Sequence, residues 1–200
     1  NSGFLYISGG DFRITSEGDG ISAGYYARID GGEYTVTSGG GSSNASEKSD
    51  PMNPGGGFFA SPSSGTDDSV STKGIKAGVG LFINEGTFEL DTADDSLHSN
   101  GDLSVSGGNI SIASGDDGLH ADAALTVSGG TINITESYEG IEGLSIDITG
   151  GNISIVSADD GINAAGGTDS SGFGGRGGDI FAATEGVYIN ISGGEIYINA

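Results

Sequence analysis

The stretch SGGNISIASGDDGLHADAALTVSGG, Ser106–Gly130, opens and closes on the same tripeptide, with its two serines 22 residues apart. Between the two markers, apolar residues alternate with small polar ones at Ile110/Ile112, Leu119/Ala121 and Leu125/Val127. Alternation is the period of a strand with one buried face. Recurrence at a fixed interval is the signature of a repeat architecture.

The marker recurs through the chain. Glycine pairs stand at 9–10, 31–32, 107–108, 129–130, 150–151 and 193–194, with Glu85-Gly86 in the same role, and their first residues are separated by 22, 54, 22, 22, 21 and 43. Taking 54 as 22 plus a 32-residue insertion, and 43 as 22 plus 21, leaves one period of 22. Two and four residues before each pair stand apolar residues such as Ile29/Ala27 and Val105/Leu103. Two and four residues after its second glycine stand others such as Tyr34/Val36 and Ile153/Ile155. A third apolar element follows, as at Ile75/Ala77 and Leu119/Ala121.

Three short strands per 22-residue unit, with no helical segment between them, predict an all-β right-handed parallel β-helix in which each unit is one coil. Equivalent residues then stack at about 4.8 Å, and the glycine pair marks a corner that needs positive φ. A β-sandwich with accidental periodicity is the alternative; a calcium-binding nonapeptide roll is disfavoured because the GGxGxD spacing is absent. The whole of 1–200 reads as one such domain, with residues 39–72 and 166–186, rich in Gly and Ser, as loop insertions near the acidic edge. Both ends look like cut edges of a longer solenoid, and no leader or membrane span of roughly 20 apolar residues is visible.

Charge restricts the partners. The 200 residues carry 28 acidic and 6 basic side chains, a net charge of −22, and no cysteine. Nucleic acid is excluded as a partner because Arg13, Arg28, Lys48, Lys73, Lys76 and Arg176 are scattered singly. Cations are the natural partners, and disulfides and thiolate metal sites are ruled out. A monomer is expected.

On the 22-residue grid the Asp-Asp of the opening stretch recurs at one place. Asp94/Asp95, Asp116/Asp117, Tyr138/Glu139 and Asp159/Asp160 occupy it, with Asp19 and Lys73 at the second position of earlier coils. Two full charges about 5 Å apart repel by about 1 kcal/mol in water and roughly 3 at an effective dielectric of 20, so a column of carboxylates calls for counter-ions. Ca2+, which accepts six to eight oxygens in irregular geometry, suits it better than Mg2+. Asp94, Asp95, Asp116 and Asp117 form one candidate ligand set, and Glu139, Asp159 and Asp160 a second. Taken singly, Asp-Asp-Gly is ordinary turn chemistry. Lys76, His98, His120 and Glu142 form a neighbouring ladder, expected outside as the floor of a surface groove that binds sugar. Two histidines with Asp122 leave a transition-metal site open.

The stretches SGGNISIASGDDGLHADAALTVSGGTINI, STKGIKA and GGTDSSGFGGRGG resemble the bacterial cell-surface carbohydrate-binding β-helix family related in fold to calcium-dependent pectate lyases. The resemblance covers nearly the whole chain. It implies an extracellular, calcium-binding protein at the bacterial surface that attaches to plant cell-wall polysaccharide, both cellulose and acidic pectin. A lyase acting by β-elimination is the second reading, and a structural spacer or adhesin the third. Elimination needs a base beside the metal, and only Lys73 and Lys76 lie on this face. Tyr6, Tyr25, Tyr26, Tyr188 and Tyr197 read as outward, with Tyr6 and Tyr188 in one column at opposite ends of the chain, so no single sugar-stacking platform is expected. A flat polar face carrying Asn109, Asn133 and Asn152 is the alternative surface for a glucan.

Overall fold

A computed structural model describes residues 3–45, 71–164 and 186–200. Its sixteen strands belong to one large sheet. They are β1 (Phe4–Ile7), β2 (Asp11–Ser16), β3 (Ile21–Ala23), β4 (Tyr26–Ser38), β5 (Ile75–Ala77), β6 (Gly80–Thr92), β7 (Leu97–Ser99) and β8 (Asp102–Val105). β9 (Asn109–Ser114), β10 (Leu119–Val127), β11 (Thr131–Glu136), β12 (Ile141–Ile148), β13 (Asn152–Val156), β14 (Ile162–Asn163), β15 (Tyr188–Ile191) and β16 (Glu195–Asn199) follow.

All their pairings are parallel, and the register follows the repeat. Leu119 pairs with Leu97 on one side and Ile141 on the other, Ile132 with Ile110 and Ile153, and Leu103 with Leu81 and Leu125. Each unit therefore lies on its own copy. The sequence alternation decides which side is dry: Ile29, Ile83, Val105, Val127 and Ile148 are fully buried, as are Ile75, Leu97, Leu119 and Ile141. Early in the chain the core holds a stack of rings, Phe12 on Tyr34 on Phe88, with centroids 4.8 and 4.6 Å apart and planes 5° from parallel. The Tyr34 hydroxyl donates to Gly31 O, and burial pushes its pKa up to about 12.

The corner expected at the glycine pair is present. Its second residue has φ +93° at Gly108 and +90° at Gly130, a region that L side chains rarely adopt. Gly118 in the Asp-Asp-Gly turn is different, because no positive φ is found there. A Cβ at Gly118 would come 2.6 Å from Gly140 O, so this glycine is required for space.

One internal ladder was not anticipated. Ser38, Thr92, Ser114, Ser137 and Ser157 are buried: Ser38 donates to Thr72 O, Thr92 to Asp94 O and Ser137 to Val156 O, the Ser114 hydroxyl lies 2.8 Å from both Asp94 O and Asp117 O, and Ser157 Oγ has no hydrogen-bond partner. Its sequence signal was available, since a Ser or Thr stands six residues after the second glycine in most units. The two proposed insertions fall largely on residues 46–70 and 165–185, outside the described residues. The start of the first one crosses neighbouring units, with Ser42 N–H donating to Asp91 Oδ1 at 2.7 Å.

Replacing Leu103, which is fully buried, with alanine is expected to cost about 2–5 kcal/mol by chemical denaturation, whereas Ile189→Ala, 45% exposed, should cost well under half as much. Both residues are rungs of one ladder, so equal losses at the two positions would show that burial does not set the cost of a rung.

Candidate functional site

The acidic turns lie between the second and third strands of each unit, and main-chain hydrogen bonds run straight through them. Gly74 N–H donates to Asp95 O, Ser96 to Asp117 O, Gly118 to Glu139 O and Gly140 to Asp160 O, all at 2.9–3.0 Å. The backbone holds these acids in stacked register whatever their side chains cost.

Their carboxylates find different partners. Lys73, in the same register one unit earlier, is buried and places Nζ 3.0 Å from Asp94 Oδ1 and 2.7 Å from Asp95 Oδ2. Asp95 also meets His98 Nδ1 at 2.8 Å and accepts from Asp117 N–H at 3.1 Å. Burial by itself would raise the Asp95 pKa; the hydrogen bond with His98 and the charge of Lys73 outweigh it and hold this carboxyl below the usual carboxylate range. Asp94, Asp95 and Asp116 each bring an oxygen within 4.8 Å of the others.

Asp117 is used differently from the expectation that it shares an ion with Asp94 and Asp95. It joins His120 and Glu142 in a separate group: His120 Nδ1 lies 2.9 Å from Asp117 and 3.0 Å from Glu142, and its Nε2 lies 3.1 Å from Asp122. Burial disfavours a charged imidazole here, yet the hydrogen bonds to Asp117 and Glu142 win, pushing the His120 pKa up to about 11. For Asp117, burial raises the pKa against the His120 hydrogen bond, and the charges of Asp95 and Asp116 raise it further. Its Oδ1 is buried and has no hydrogen-bond partner, as is also true of His98 Nε2.

The histidine ladder requires a correction. Register does align Lys76, His98, His120 and Glu142, and the two imidazoles stack with centroids 4.9 Å apart. They are not the floor of an open groove, because both side chains are only 1% exposed. The acidic turn folds over the strand that follows it, so Asp95 covers His98 and Asp117 covers His120, each three residues on. Lys76 and Glu142 remain half-buried at the margins.

Further along, Glu139 is half-buried and accepts two hydrogen bonds from Asn163 Nδ2, both at 3.0 Å. Burial and then the Glu142 charge push its pKa up to about 7. Asp159 and Asp160 are exposed, and Asp159 holds the Tyr138 phenol, raising its pKa to about 12. Among the described residues, Glu139 shares no close ligand group with Asp159 and Asp160.

The outward tyrosines are also rearranged by register. Tyr6 aligns through Arg28 and Phe82 toward Asp147 and Asn190, whereas Tyr188 aligns with Ser145 and belongs with Phe4 and Tyr26. Asn109 and Asn152 share a ladder through Thr131, while Asn133 lies with Ser111 and Ser154. That polar face carries a shallow depression of about 280 Å³ lined by residues including Thr35, Glu89, Asp91 and Ser111.

A parallel all-β repeat with a buried, charge-rich column and flat outward faces is the class of protein that these features define. A family model described as carbohydrate-binding domain-containing protein matches residues 1–118, more than half of the chain, and the protein belongs to that family. No curated protein and no solved structure matches it.

Two outcomes are expected. Asp95→Ala strips buried Lys73 and His98 of their shared anion and should cost about 3–5 kcal/mol, against less than about 0.5 for Asp11→Ala at an exposed pair, read by denaturant titration. In chelator, Glu139 holds its proton more tightly folded (about 7) than unfolded (4.5), so its contribution is present below 4.5 and is lost as pH rises to about 7. Melting temperature should therefore fall across that window, less steeply in Glu139→Gln; an unchanged slope would remove Glu139 from the account.

Proposed function

We propose that this protein is an extracellular, calcium-stabilised domain of the bacterial surface that attaches to plant cell-wall polysaccharide, cellulose and acidic pectin alike, and that its sheet winds as a right-handed parallel β-helix. Carbohydrate binding rests on the family. Calcium rests on one observation: Asp94, Asp95 and Asp116 converge within 4.8 Å, two of them buried. An all-oxygen group of this kind suits a hard cation, and the imidazole-bearing groups beside it suit one less well. An ion held here would neutralise the stacked acids and could bridge to a uronate carboxylate.

The fit has one tension. Lys73 Nζ already lies against both Asp94 and Asp95, so an ion on that rung competes with an ammonium. The same contacts favour binding over elimination, since a lysine buried in two ion pairs is poorly placed to accept a proton from a sugar ring. Lys76, half-buried with Nζ 3.5 Å from Ser71 Oγ, is the remaining base of the lyase reading.

Calcium should raise the melting temperature and chelator should lower it, with retention on polygalacturonate lost in parallel. Lys73→Met should be the more sensitive protein: destabilised without calcium, because two acids lose their counter-charge, and rescued by calcium to a greater degree than the parent. Identical melting of both proteins with and without calcium would falsify the metal assignment. Release of unsaturated uronate product would favour the lyase.

A further inference from the structure

The outward side of β1, β4 and β6 carries a group of rings that periodicity alone does not bring together. Tyr26 is its centre: Phe4 meets it edge-on with centroids 6.4 Å apart, Tyr25 at 4.6 Å, and Phe82 lies tilted at 6.1 Å. Phe4, Tyr25 and Tyr6 are 67%, 44% and 56% exposed. The rings of Tyr26 and Phe82 come together over Gly80, where an added Cβ would approach the first to 2.9 Å and the second to 3.0 Å. Glycine at this point leaves room for both rings over the backbone, with Phe82 tilted 38° to Tyr26 and Tyr25 standing edge-on to it.

Beside the rings is a polar rim that is already organised. Asp30 accepts from the Tyr6 hydroxyl at 3.0 Å, from Arg28 Nε at 2.8 Å and from Asn84 Nδ2 at 2.7 Å, and the Arg28 guanidinium stands 5.9 Å from the centre of the Tyr6 ring. The charges of Arg28 and Asp30 cancel locally, while the chain as a whole carries −22.

We infer that this aromatic face is a subsite for an uncharged polysaccharide of equatorially substituted pyranoses, a β-linked glucan in chemical class. Such sugars present apolar C–H faces that pack on aromatic rings, and hydroxyl edges that hydrogen-bond to groups of the kind found on the Arg28, Asp30 and Asn84 rim. A uronate chain fits poorly. Its carboxylates would meet the Asp30 carboxylate and a strongly negative protein, and the one guanidinium present is already engaged. The inference rests on the carbohydrate-binding reading and assigns the neutral ligand to a surface separate from the acidic turns.

The test is retention of the whole chain on insoluble β-1,4-glucan and on polygalacturonate with calcium, comparing the parent with Tyr25→Ala, Phe82→Ala, Phe82→Tyr and, on the polar face, Ser111→Ala. Tyr25→Ala removes an exposed ring and leaves the core untouched; circular dichroism checks the fold of each variant. The expected result is a loss of glucan affinity of at least about tenfold for Tyr25→Ala and Phe82→Ala, near-parental affinity for Phe82→Tyr and Ser111→Ala, and unchanged retention on polygalacturonate. Glucan retention that survives both alanine variants, or falls only in Ser111→Ala, overturns the subsite and leaves the carbohydrate-binding reading standing. A parent retained by polygalacturonate alone overturns the neutral ligand, and a parent retained by neither overturns both.

Discussion

The constraint behind every other feature is the in-register parallel pairing of units of equal length. Away from the register shifts near Asp30, Ala121 and Ile134, residues of the inner strands have counterparts on both sides, fixed by backbone hydrogen bonds that do not depend on the side chain. For Ile, Leu and Val this is favourable at every step, and it yields a continuous dry interior from a chain that is about one-fifth glycine. For aspartate it is costly at every step.

The acidic column answers this cost in a different way at each level. At Asp94 and Asp95 the counter-charge is built in, as the Lys73 ammonium. At Asp117 it is a contact with the His120 ring, shared with Glu142 and Asp122. At Glu139 the raised pKa and the Asn163 amide take its place, and at Asp159 and Asp160 exposure to water does. Where the column turns inward, Asp94, Asp95 and Asp116 bring oxygens within 4.8 Å of one another, and that is where an external cation would have most to contribute. An ion bound there would stabilise the folded state by mass action.

The aromatic face shows the same stacking rule with a different outcome. Identical neighbours are not needed there; Phe4, Tyr26 and Gly80 follow one another in a single column, and the gap at Gly80 makes room for rings from above and beside it. A ligand-facing surface arises where the repeat is broken by size. The acidic turns are a surface made where the repeat is kept.

The strand pattern, the 22-residue register, the corner at the glycine pair and the vertical alignment of Asp94 with Asp116 and of His98 with His120 were all determined by the sequence alone. Each depends only on period, and period is written in the order of residues. The burial of His98 and His120, the pairing of Lys73 with two aspartates, the separation of Asp117 from Asp94 and Asp95, and the meeting of Phe4, Tyr25, Tyr26 and Phe82 were decided by the tertiary structure. These depend on which way a turn folds over the strand after it and how far a side chain leans toward the next unit. Register says which residues are neighbours; only packing in three dimensions says which of them touch and which of them see water.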